Sequence, residues 1–122
     1  MDQDIVARIY DEAINYFNNN KGGNPWKAGI SSESGSTETK GLRYQDNLKT
    51  WGGRDSTYLD YYERWNAETQ ENAIAIEKEL CNVPGICNQA CPRNGFVGNE
   101  DTNWVYIFEV HNDKKNKCGL TV

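Results

Sequence analysis

The chain is predicted to fold as a small α+β domain, with a three-stranded antiparallel or mixed sheet flanked by helices. Three observations lead there. Residues 104–110, Trp104-Val105-Tyr106-Ile107-Phe108-Glu109-Val110, are apolar at nearly every position. A strand with two apolar faces belongs in the middle of a sheet. Two other stretches repeat their apolar residues at helical spacing: Val6, Ile9, Tyr10, Ala13 and Phe17, then Ala73, Ile74, Ile76, Leu80 and Cys81. Finally, 122 residues without an internal repeat suit one domain, 1–122, with one modest core.

The elements follow in order. Asp2 or Asp4 can cap a first helix within 1–20, which ends in the stop signals Asn18-Asn19-Asn20-Lys21-Gly22-Gly23-Asn24-Pro25. Trp26-Lys27-Ala28-Gly29-Ile30-Ser31 is a short strand whose small pair, Ala28-Gly29, leaves room for a backbone or ligand to approach. Residues 32–41 are rich in Ser, Thr, Glu and Gly and read as a loop. Residues 42–51 suggest a short helix stopped by Gly52-Gly53, with Leu42, Gln45, Asn47 and Leu48 inward and Arg43 at the edge. The aromatic stretch 58–65 is expected to give a helix, then a strand around Arg64-Trp65-Asn66. Its aromatics interleave with Arg64 in a way that can stack bases or simply fill a core. Thr69 can cap the next helix, whose interior lacks Gly and Pro. An irregular stretch punctuated by Pro84, Gly85, Pro92, Gly95 and Gly98 leads to the central strand. Residues 111–116 turn the chain, and 118–122 are expected to return as an edge strand.

Composition narrows the function classes. Net charge is −5 and the sequence pI is about 4.8, which argues against indiscriminate coating of nucleic acid. Charge is uneven, however. The first twenty residues carry four acids against Arg8 alone, while Lys40, Arg43, Lys49, Arg54 and Arg64 gather in the middle. A nucleic-acid partner would therefore meet a local patch there. No apolar run reaches the roughly 18 residues of a membrane span, so no membrane role is expected. The acidic start, Met1-Asp2-Gln3-Asp4, is no secretory signal, and the expected location is cytoplasmic.

Within the helix after Thr69, Glu77 falls on the apolar arc, whereas Lys78 and Glu79 point away. A carboxylate turned toward an apolar face must be paired, metal-bound or neutral, because burying it bare costs several kcal/mol. Glu77 is thus a candidate site residue or half of a structural ion pair. The four cysteines, Cys81, Cys87, Cys91 and Cys118, lack the paired spacing of a zinc site. In a cytoplasmic protein they are expected as thiols; in an exported one, a disulfide closing 81–91 is an alternative. His111, the sole histidine, is expected to be a solvated strand-end residue.

Three pieces in this order resemble the GIY-YIG nuclease superfamily across 26–110. They are Trp26-Lys27-Ala28-Gly29-Ile30-Ser31; Arg43 followed by a Trp; and Ala73, Ala75 and Glu77, then a Gly-bearing loop and Val105-Tyr106-Ile107-Phe108. Residues 1–20 precede that region as a helix, and 111–122 follow it as a turn and tail. The resemblance implies a hydrolase that cleaves phosphodiesters in nucleic acid with magnesium. Glu77 would then be the metal ligand, Arg43 the phosphate-side cation and Gly29 the close-approach glycine. A hard Mg²⁺ keeps several waters, so one carboxylate can suffice. The family tyrosine two residues before Gly29 is Lys27 here, and Asn47 stands where a His might follow the arginine. Lys27 and Tyr44 are left as substitutes for the base. The alternative is a non-catalytic binding module of the same fold.

Overall fold

The computed structural model describes residues 1–32, 42–87 and 102–118, excepting the side chains of 42, 43, 87, 117 and 118. Helices α1 (Gln3–Asn20), α2 (Leu42–Trp51) and α3 (Gln70–Leu80) surround strands β1 (Trp26–Ser31), β2 (Tyr62–Asn66), β3 (Ile86–Cys87) and β4 (Trp104–Glu109). The sheet order is β2-β4-β1-β3. The first three strands are antiparallel neighbours, and the two-residue β3 adds a parallel rung beside β1. This is the expected α+β plan with β4 central. The rung at β3 falls in a stretch read as irregular.

Alternation along the strands sends successive side chains to opposite faces. One face carries Trp26, Ala28, Val105 and Ile107, which pack with Val6, Ile9, Ala13 and Phe17 of α1 and Ala73, Ile76 and Leu80 of α3. The opposite face carries Tyr62, Tyr106 and Phe108 beneath Tyr44, Leu48 and Trp51 of α2. Two α-helices therefore cover the first face and one covers the second.

Local chemistry explains the helix ends. Asp2 is the N-cap of α1, accepting from the backbone N–H groups of Asp4 and Ile5 at 3.0 and 3.2 Å. Thr69 caps α3 by accepting from Asn72 N–H at 3.1 Å. Asn72 is itself 2% exposed. It accepts from Asp2 N–H at 2.8 Å and donates to the Ala67 carbonyl at 2.9 Å, fastening α1 to α3.

Two local expectations shift. Gln45 is exposed and Tyr44 is buried instead, packed edge-on against Tyr62 with its hydroxyl accepting from Leu59 N–H at 2.9 Å. Residues 58–61 are bends and irregular backbone rather than a helix, and from Tyr62 onward the chain joins the β4 ladder. The turn after β4 takes a 3-10 form over Asn112–Cys118. The edge strand expected at 118–122 lies outside the described residues, apart from Cys118 at the end of that turn.

Candidate functional site

The register of the three long strands builds an ordered array on the α2 face. Tyr62, Phe108 and Lys27 stand in one cross-strand row, Arg64, Tyr106 and Gly29 in the next, and Asn66, Trp104 and Ser31 in the third. The rings form a continuous ladder. Tyr62 stacks on Tyr106 and on Phe108, each pair 6.0 Å apart, and Tyr44 meets Tyr62 edge-on at 4.8 Å.

Two cations sit in this aromatic setting. Lys27 is 7% exposed and holds its Nζ 5.0 Å from the centre of the Trp51 ring. The half-buried Arg64 lays its guanidinium over Trp104 at 4.8 Å. A ring face attracts a cation through its quadrupole, more strongly where water is excluded. Both residues also take part in interactions besides these. Beside them on α2, Asn47 is 6% exposed, and its amide nitrogen has no hydrogen-bond partner among the described residues.

The sequence-expected site residues divide between the two faces. Lys27, Gly29 and Tyr44 lie on the α2 face. Glu77 is on α3, the helix that packs on the other face with α1. Glu77 is half-buried and is engaged by a neighbour. The buried line of α3 runs through Ala73, Ile76 and Leu80, so Glu77 stands at its flank rather than its centre. Arg43 belongs to the first turn of α2, and its side chain lies outside those described. Gly29 leaves no vacant space: a Cβ there would fall on the ring and hydroxyl of Tyr106, its cross-strand partner. Tyr44 serves the fold through its bond to Leu59.

A magnesium site has sparse support. Among the described residues no three of His, Cys, Asp and Glu converge as they would around a metal ion. Such an ion would rest on Glu77 and water with few other protein ligands.

Trp104 and Tyr106 were not singled out in the sequence as site residues, and Arg64 stood out there only as a base among aromatics. Each was visible as a residue type, but only the pairing of Arg64 with Tyr106, and of Asn66 with Trp104, sets them side by side. At the far end of the other face, burial raises the pKa of Glu109, Asp60 adds to the rise and His111 opposes it. Burial likewise raises that of Tyr16, with Glu63 contributing. Cys81 is disulfide-bonded, against the expectation of a thiol. Its partner lies outside the described side chains. No helix among the described residues is long and apolar enough to cross a membrane.

Compared with protein-family models, curated proteins and solved structures, the chain matches none.

Proposed function

We propose that the chain is a non-catalytic binding module of GIY-YIG-like plan that engages nucleic acid through a local patch at Arg64 and Trp104. One observation supports it above the others: the guanidinium of Arg64 is stacked on an indole at one end of an aromatic ladder. A base stacked on an aromatic side chain gains roughly 1–3 kcal/mol, and an adjacent guanidinium answers its phosphate. With a net charge of −5, such binding is local, and because few phosphates are neutralised its affinity falls only gently with salt. The division of Glu77 from Lys27, Gly29 and Tyr44 favours binding over cleavage.

The test is fluorescence anisotropy of a labelled single-stranded oligonucleotide at low salt. Native protein is expected to bind, and Trp104→Ala and Arg64→Ala each to weaken binding about tenfold, equal to about 1.4 kcal/mol. If the native protein leaves the probe unbound, or both variants bind as tightly, the reading fails.

A second reading, magnesium-dependent phosphodiester hydrolysis, retains the half-buried acid on α3 in its favour. It requires cleavage of plasmid or single-stranded DNA in magnesium or manganese, abolished by Glu77→Gln. As for location, the Cys81 disulfide favours an oxidising compartment over the cytoplasmic one expected from the sequence. Thiol titration of the denatured native protein distinguishes them.

A further inference from the structure

A second polar site lies where α2 ends, away from the Arg64 patch. Here an open groove of about 490 Å³ is lined by Gln45, Asp46, Lys49, Gly53, Arg54 and Ser56, with Leu48 at its apolar side. Lys49 and Arg54 are exposed, and neither is in an ion pair among the described residues. Asp46 is the acid among the lining residues, and the Asp113 carboxylate lies behind the wall, engaged by Arg54 N–H and 3.5 Å from His111 Nδ1.

The inner wall is built by contacts distant in sequence. His111 N–H donates to the Trp51 carbonyl at 3.0 Å, fixing the end of β4 to the end of α2. Arg54 N–H donates to the Asp113 carboxylate at 3.2 Å, and Ser56 N–H to the Gly53 carbonyl at 3.0 Å. The His111 ring is oriented as well. Its Nδ1 accepts from Asp113 N–H at 3.0 Å, so the neutral ring must carry its proton on Nε2. His111 Nε2 lies against Gly53, which lines the groove: a Cβ on Gly53 would meet Ser56 Oγ at 2.6 Å and His111 Nε2 at 2.7 Å. The missing side chain at Gly53 is what lets a hydroxyl and an imidazole N–H converge there.

This tautomer offers a donor, not a base, so the pair is unsuited to activating Ser56 as a nucleophile. It suits an acceptor-rich guest. We infer that the groove binds a phosphoryl group, with Arg54 and Lys49 supplying charge and Ser56 Oγ and His111 Nε2–H supplying directed hydrogen bonds. Arg54 can address two oxygens with its planar fork, while Lys49 acts as a point charge. The inference stands apart from the nucleic-acid reading, because neither Arg64 nor Trp104 takes part.

Backbone amide NMR with inorganic phosphate, AMP and sodium chloride as separate titrants tests it. Saturable shifts confined to residues 45–56 and 111–113 are expected with phosphate, and not with chloride. Arg54→Ala should weaken phosphate binding about tenfold. Gly53→Ala should weaken it at least as much, by driving Ser56 and His111 apart. Thermal melts accompany both variants; Arg54 is exposed, so its variant tests the site even if Gly53→Ala is unstable. Binding of phosphate and AMP alike supports recognition of the phosphoryl group in either form, and binding of phosphate alone supports the free ion. Shifts that chloride reproduces, binding of AMP without phosphate, or native affinity in Arg54→Ala would overturn the inference.

Discussion

The two faces of the sheet use the same three strands for different ends. Residues 26, 28, 105 and 107 meet α1 and α3 in a buried aliphatic and aromatic core. Residues 27, 29, 62, 64, 104, 106 and 108 present cations, tyrosines and a glycine to the single helix α2 or to the open end of the sheet. Apolar burial on the first face drives folding at about 25 cal/mol per Å². On the second face, each buried polar group costs free energy unless it is satisfied, so its gain is smaller and its geometry stricter. The two layers therefore differ in make-up: the first face is covered by two helices over an almost wholly apolar core, and the second combines a smaller aromatic cluster with cations and polar groups.

The largest test of that contrast is Ile76→Ala. Ile76 is fully buried between α3 and the first face, and its truncation should cost about 2–5 kcal/mol in chemical denaturation. A loss well below that would deny the α1–α3 layer its stabilising role. On the second face, Gly29→Ala should cost about 1–3 kcal/mol, because the new methyl displaces the Tyr106 ring. Gly22→Ala, which meets no atom within 4 Å, is the control and should change little. A double-mutant cycle with Tyr106→Ala should show strong coupling to position 29; additive effects would separate the two residues.

Tyr44→Phe sharpens the comparison further. It removes the acceptor for a buried N–H of Leu59 without changing the ring, and should cost about 1–3 kcal/mol. An unchanged melt would mean that water replaces the hydroxyl and that the α2 layer is wetter than its packing implies. The smallest effect is expected at Glu109, where burial and Asp60 raise the folded-state pKa above its ordinary 4.5. The folded state then binds the proton more tightly than the unfolded state. This contribution to stability is full below the unfolded pKa and is lost as pH rises through the raised folded value. Glu109→Gln should therefore flatten the stability profile just above pH 4.5, read by melts at stepped pH. A profile identical to the native one would assign that dependence to another group.

Much of the first face was legible in the sequence. The stripe Val6, Ile9, Ala13 and Phe17 is buried as its spacing foretold, and β4 is central as its two apolar faces required. The α2 face was read less well. Gln45 was assigned inward by spacing, but Tyr44 faces in with Leu48 and Trp51, packed edge-on against Tyr62 and accepting from Leu59 N–H. Gly29 was read as space for a backbone or ligand; the space exists and a tyrosine fills it. Asn72 gave no sign in sequence of joining α1 to α3, because its partner Asp2 lies seventy residues away in the chain.

The sequence by itself determined the α+β class, the helix caps and the core stripes. Those properties arise from interactions between residues a few positions apart, where periodicity and capping chemistry act directly. Only the tertiary structure decided that Arg64 stands beside Tyr106, that His111 and Ser56 converge at Gly53, and that Glu77 rides on the helix layer opposite Lys27. Such neighbours are set by strand register and by which face each helix covers. A one-residue change of register would send every side chain of a strand to the other face, and the local sequence alone does not specify that choice.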